Sequence, residues 1–209
     1  SPGGGLKLFC ATSNPGKLRE FRLAIERFSG GRFALEPLPG LAAIPPLEET
    51  GQTFLENATS KALYCSTHAP GLLFADDSGL AVNALGGAPG VFSARYAGRG
   101  ASDEENNRLL LERLRGVENR SARFVCVVAV AEQGRLVATF EGAVEGAILE
   151  APRGTNGFGY DPLFFYPPFG CTLAEAPADA KLSVSHRGKA LEAMVRFLAA
   201  SNSLRAQRG

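Results

Sequence analysis

The sequence predicts an α/β protein of the mixed, α+β kind, with helices packed on one mixed β-sheet. Three observations carry this. Apolar residues recur at helical spacing in several separate segments. Between them lie short apolar runs bounded by Gly, Pro and Asn, which read as strands. Several of these strands follow one another as hairpins, a pattern foreign to a regular doubly wound sheet. Composition supports a packed core, with 45% of residues apolar and 21% charged, ordinary values for a globular chain.

Each element has its local reason. Leu6–Thr12 reads as the first strand and ends at Ser13-Asn14-Pro15-Gly16. Asn14 is a natural N-cap and Pro15 suits the first helical position. Leu18, Phe21, Ala24, Ile25 and Phe28 then recur at helical spacing, and Gly30-Gly31 stops the helix. Residues 37–46, rich in Pro and Gly, read as loop. Thr53 and Glu56 form a capping box for a second helix. Its apolar face is Phe54, Leu55, Ala58, Ala62 and Leu63, while Asn57 and Lys61, four apart, share another face. Leu72–Ala75 reads as a short strand running into Asp76-Asp77-Ser78-Gly79, with Leu80–Leu85 as its hairpin partner. Ser102 and Glu105 make another capping box, opening a helix that carries Leu109, Leu110, Leu111 and Leu114. Arg123–Ala131 and Arg135–Phe140 form a hairpin around Gln133-Gly134. Ala143–Leu149 reads as a further strand, Gly154–Pro162 as a long glycine loop, and Leu163–Tyr166 as a short strand. The last helix starts near Ser185. Residues 1–5, Ser-Pro-Gly-Gly-Gly, read as a leader or cloning scar, and residues 6–209 as one domain.

Several function classes are disfavoured. Lys+Arg is 22 and Asp+Glu 21, a net charge of +1, without the basic excess of a dedicated nucleic-acid binder. No apolar run approaches the roughly 18 residues of a membrane span, and no basic start precedes an apolar stretch as in a secretory signal. The 4 cysteines, Cys10, Cys65, Cys126 and Cys171, are dispersed. They read as reduced structural thiols, which places the protein in the cytoplasm.

Five segments could carry chemistry. Thr12-Ser13-Asn14-Pro15-Gly16-Lys17 leads a strand into a helix N-terminus, where free backbone N–H groups favour an anion. Lys17 there opposes the helix dipole by about 0.3–1 kcal/mol, which an anionic ligand would relieve; a solvated lysine is the plainer reading. Asp76-Asp77-Ser78-Gly79 sets two acids beside apolar residues, so a cation or donors must compensate. Neighbours on a strand point to opposite faces, so one acid faces a given site. Glu48-Glu49 is a second acidic pair, able to complete a Mg²⁺ site with Asp77 because Mg²⁺ takes carboxylate and phosphate oxygens. Phe158, Gly159, Tyr160 and Asp161 lie in the glycine loop, where aromatic faces could stack a base. Lys181, His186, Arg187 and Lys189 crowd a helix start with positive charge. Together these suit a nucleoside triphosphate with Mg²⁺, and water rather than a side chain as the attacker.

The same residues resemble the inosine triphosphate pyrophosphatase family, above all its bacterial dITP/XTP pyrophosphatases. The matching segments are ATSNPGKLREF (11–21), EETGQTFLENATSKA (48–62), FADDSGLAVNALGGAPGVFSARYAG (74–98), GTNGFGYDPLFF (154–165) and SHRGKAL (185–191). The resemblance implies an elongated sheet, two lobes with a substrate cleft between them, and a homodimer. It implies Mg²⁺-dependent hydrolysis of ITP, dITP and XTP to monophosphate and pyrophosphate, cleansing the nucleotide pool. Thr12, Ser13, Asn14, Pro15, Gly16 and Lys17 would hold the triphosphate, with Lys61 a further phosphate contact. Asp77 would be general base and metal ligand, and Glu48, with Glu49 its rival, the second ligand. Ser78 would touch substrate; Phe158, Gly159, Tyr160 and Asp161 would cradle base and sugar; Lys181, His186 and Arg187 would complete recognition. Ser13 stands where many relatives carry Gly. The rival readings are a pyrophosphatase for modified pyrimidines and a non-catalytic nucleotide- or RNA-binding module. The second would leave Asp76-Asp77 unexplained.

Overall fold

A computed structural model describes residues 4–208, with side chains through Asn202. The first three residues of the predicted leader lie outside the described residues. The elements, in order, are β1 (Leu6–Cys10), α1 (Pro15–Ser29), β2 (Phe33–Pro37), α2 (Phe54–Ser66), β3 (Leu73–Val82), α3 (Asp103–Arg113), β4 (Ser121–Glu132), β5 (Arg135–Ile148), β6 (Phe164–Tyr166), β7 (Cys171–Thr172), α4 (Ala178–Val184) and α5 (His186–Arg208). The strands form a 7-stranded sheet in the order β2-β1-β3-β4-β5-β6-β7. β1 runs parallel to β2 and β3; every later pairing is antiparallel. The sheet is therefore mixed, as the hairpin pattern requires.

The capping residues act as expected. The Asn14 side chain accepts from the Lys17 N–H, and Gly30 closes α1 in the left-handed region at φ 57°. Thr53 caps α2 by accepting from the Glu56 N–H, but Glu56 accepts from the Gln52 N–H and not from Thr53, so the expected box is half formed there; Ser102 with Glu105 completes a reciprocal box on α3. Gln133 and Gly134, at φ 50° and 79°, form a two-residue turn whose paired positive φ values match strand twist.

Two strand readings are corrected. Leu72–Ala75 and Leu80–Leu85 are not a hairpin, because β3 runs unbroken through Asp76-Asp77-Ser78-Gly79, paired with β4 from Leu73↔Ala131 to Val82↔Ala122. That ladder satisfies the backbone a turn would have freed. Ala143–Leu149 is not a separate strand either; β5 is continuous from Arg135 to Ile148 against β4. β2, β7 and α4 are only 5, 2 and 7 residues long, too short for a repeating pattern to announce them in sequence.

Strand alternation divides the core. Val128 and Val130 of β4 join Phe21, Ile25, Leu191 and Met194 under α1 and α5. Val127, Ala129 and Ala131 join Ala58, Ala62 and Cys65 under α2. A third cluster surrounds the far end of the long strands, with Leu80, Val82, Leu110, Phe124 and Phe164. A cleft of about 1170 Å³ opens between these groups. It lies where β1 ends at Cys10 and β3 continues to Val82 with no strand beside it on that edge beyond the Ala81↔Pro89 bridge.

Candidate active site

β3 supplies the centre of the cleft. Asp76 and Asp77 are both buried, and the pleat sends them to opposite faces. Asp76 turns toward α1 and α5. Lys17 Nζ donates to its Oδ1 at 3.1 Å, and the Arg187 guanidinium lies 3.8 Å from its Oδ2. Burial alone would push this carboxyl up; Lys17, then Arg187 and Lys61, outweigh it and hold it below 3.8. Ser78, two residues on and on the same face, accepts from Arg187 Nη2 at 2.8 Å.

Asp77 turns toward α2, where Asn57 Nδ2 donates to its Oδ2 at 3.1 Å. No cation contacts it among the described residues. Burial first, and the charge of Glu49 second, push its carboxyl up to about 7, against a smaller downward pull from Asn57. Glu48 and Glu49 both line the cleft with Asp77. Glu49 also pairs with Lys61 at 3.6 Å.

The aromatic loop closes the other side. Phe158, Gly159 and Tyr160 line the cleft. The Phe158 ring packs on α1 so closely that a Cβ on Gly16 would sit 2.5 Å from it. Lys181 Nζ and the Arg187 guanidinium carbon stand 5.2 and 5.3 Å from the same ring's centre. The Asp161 carboxylate accepts from the Phe158 N–H and pairs with Lys181. The Tyr160 hydroxyl donates to the Ser93 carbonyl at 2.6 Å. His186 stacks on Phe124 with centroids 4.7 Å apart. Burial, then Arg187 and Lys181, push its pKa well below 6.5, so its ring is neutral. Its Nδ1 is buried without a partner among the described residues.

The sequence profile of the Ham1 family matches residues 8–197. The chain belongs to the Ham1 family. An Acidobacterium capsulatum protein named dITP/XTP pyrophosphatase is 51% identical over 201 residues, covering 91% of this chain and 97% of its own. A Thermus thermophilus protein of the same name is 51% identical over 195 residues, covering 91% of each. Among solved structures, a HAM1 protein from Coxiella burnetii superposes with TM-score 0.81 at 40% identity, covering 93% of this chain and 99% of its own. A nucleoside-triphosphatase, or dITP/XTP pyrophosphatase, from Mycobacterium abscessus gives TM-score 0.69 at 39% identity, covering 92% and 100%.

Within this Ham1 chain the predicted residues separate into two groups. Glu48, Asn14, Lys17, Asp77, Ser78, Phe158, Gly159, Tyr160, His186 and Arg187 line the cleft. Thr12, Ser13, Pro15, Gly16, Lys61, Asp161 and Lys181 are not among its lining residues. Thr12 Oγ1 accepts from the Asn14 N–H, and Gly16 receives Phe158. Lys181 is held between Asp161 and Glu20. The cationic helix starts that suggested an anion therefore have carboxylate partners within the chain: Asp76 for Lys17, and Glu20 with Asp161 for Lys181 and Arg187. Sequence reading missed Glu20, Asn57, Asp103 and Asn107. Glu20 lies on α1 three residues after Lys17, and no local signal marks its role. Asn57 was visible beside Lys61 but carried no chemical signature. Arg95 and Arg99 also line the cleft, with no carboxylate partner among the described residues.

Proposed function

We propose that this chain hydrolyses non-standard purine nucleoside triphosphates (ITP, dITP and XTP) to the monophosphate and pyrophosphate, with Mg²⁺ bound. The relatives' names support the substrate class. One observation carries the chemistry: Asp77 lines the cleft with Asn57 as its side-chain hydrogen-bond partner and no cation in contact among the described residues, and burial pushes its carboxyl up to about 7. A general base works best when its pKa lies near the working pH.

The donor set fits a hard cation. Asp77 and the Glu48-Glu49 loop present carboxylates to one cleft without a cation on Asp77, and Mg²⁺ is commonly held by one or two carboxylates plus substrate phosphates. Among the described residues no group of three or more His, Cys, Asp or Glu side chains could hold a metal. Asp77 and Glu48 are the proposed ligands, with Glu49, whose charge bears on Asp77, as rival. Bound there, the metal supplies charge to the triphosphate.

The chain's own residues do the rest. Asp77 takes a proton from water as the water oxygen bonds to the α-phosphorus; the bond from that phosphorus to the bridging oxygen breaks, and pyrophosphate leaves. Lys17, Arg95 and Arg99 provide positive charge along the phosphate path. Phe158 offers a stacking face, and Tyr160 is anchored by its hydroxyl behind it. His186 lines the cleft and its Nδ1 lacks a partner among the described residues, which makes it the candidate group for recognising a purine edge; a site whose buried polar atoms need a partner rejects bases that lack it. Thr12, Ser13, Pro15, Gly16, Lys61, Asp161 and Lys181 act as the support of this surface. The four cysteines are unpaired in the structure, in keeping with the proposed cytoplasmic setting. A homodimer completes the reading, and light scattering on the purified protein tests it.

The deciding experiment compares ITP, XTP, ATP, GTP and dTTP with Mg²⁺ and separates pyrophosphate from single phosphate. Pyrophosphate from ITP and XTP, with little from ATP or GTP, is the expected outcome. Single phosphate, or a pyrimidine preference, overturns it.

A further inference from the structure

Asn57 lies on α2, 3% exposed, and its carboxamide is fully engaged. Nδ2 donates to Asp77 Oδ2 at 3.1 Å and to the Gly51 carbonyl at 3.4 Å. Oδ1 accepts from the Gly51 N–H at 2.8 Å. The partners fix the orientation of the amide, because a carboxylate needs the NH₂ end and a backbone N–H needs the oxygen. Gly51 belongs to the loop that carries Glu48 and Glu49. A Cβ on Gly51 would stand 2.5 Å from Asn57 Oδ1, so the loop approaches this closely only with glycine there. Asn57 holds the Asp77 carboxylate by Oδ2 alone, and among the described residues no side chain donates to its Oδ1.

We propose that Asn57 is a positioning residue for hydrolysis: one carboxamide fixes the Asp77 carboxylate, leaving its second oxygen to the attacking water, and fastens the acidic loop at Gly51 to the same point. This rests on Asp77 being the base. Two parts distant in sequence are thereby held in one geometry, at residues 48–51 and residue 77. Asn57 is buried and is not among the residues that line the cleft, so it is not placed to contact the nucleotide's base or sugar. Loss of the carboxamide therefore slows the chemical step without weakening nucleotide binding. A misplacement on the order of 1 Å costs about 100-fold in rate.

The test uses Asn57→Leu, close in volume and without polar atoms, and Gly51→Ala, which displaces the carboxamide without removing it. Steady-state kinetics with XTP and Mg²⁺ are measured beside calorimetric binding of IMP without metal. For Asn57→Leu, the expected result is kcat lowered about 100-fold, with KM and IMP affinity within threefold of the parent. Gly51→Ala should shift kcat in the same direction. If Asn57→Leu does not fold, Gly51→Ala decides by the same criteria. A kcat within threefold of the parent overturns the proposal. So does a loss of IMP affinity as large as the loss of kcat, since that marks collapse of the whole cleft. Asp77→Asn is run alongside. Near-normal turnover by that variant removes the base itself, a result distinct from either Asn57 outcome.

Discussion

Asp76 and Asp77 are chain neighbours in opposite electrostatic states. Asp76 is held ionised by Lys17 and Arg187, while Asp77, on the other face of the strand, meets Asn57 and the charge of Glu49. The sign of the pH effect follows. A carboxyl raised from 3.8 to about 7 in the folded protein favours folding at low pH, and that contribution disappears as pH rises through 7. Each pH unit in the window corresponds to about 1.4 kcal/mol. Asp77→Asn should therefore abolish turnover yet melt higher than the parent above pH 7 without metal, with the gap closing toward pH 4. Melting curves of both proteins across pH 4–8 check this. Glu20 is the opposite case, a carboxylate that Arg187 and Lys181 hold below its ordinary value against the upward push of burial. Removing one partner of a buried ion pair leaves an uncompensated charge. Glu20→Ala should lower stability by about 3 kcal/mol in urea unfolding at pH 7.

α3 ties the two sides of the cleft together. Asp103 accepts from the Gly159 N–H at 2.9 Å, and Asn107 Nδ2 donates to the Gly159 carbonyl at 3.1 Å. Gly159 lies at φ 63°, a conformation glycine adopts without strain. Asn106, one residue before Asn107, accepts from the Ala97 N–H and donates to the Ala94 carbonyl. One helix start thus fixes both the aromatic loop and the segment bearing Arg95. The double variant Asp103→Ala/Asn107→Ala should release Phe158 and raise KM for XTP about tenfold, with kcat within threefold. Steady-state kinetics separate the two constants.

At the scale of the molecule, α5 lies across β4 and β5, and glycine decides how close it comes. A Cβ on Gly142 of β5 would overlap the His186 carbonyl oxygen, and one on Gly188 of α5 would overlap that of Leu182. This close seating brings His186 and Arg187, at the start of α5, beneath the cleft. Overpacking such a contact forces backbone shifts. Gly142→Val should destabilise the protein by about 3 kcal/mol and lower the affinity for IMP, because His186 moves with the helix. Urea unfolding and calorimetry read the two effects.

The sequence by itself determined what short-range chemistry can determine. Asn14, Thr53 and Ser102 mark their helices through caps that reach only three residues. Gln133-Gly134 marks its turn, and the period of two places Asp76 and Asp77 on opposite faces. The ordered motifs were enough to indicate the family. The tertiary structure decided which acid is held charged and which is not. Lys17 reaches Asp76 across 59 residues, and Lys181 reaches Glu20 across 161. It also decided that Asp76-Gly79 stays extended rather than turning, since only the β4 ladder supplies the backbone partners. It decided that Asn57 and Glu20 belong with the site, although neither carries a signature of its own. The physical reason is the same in each case: burial and Coulomb interaction act through space, and a local pattern does not record which distant charge arrives.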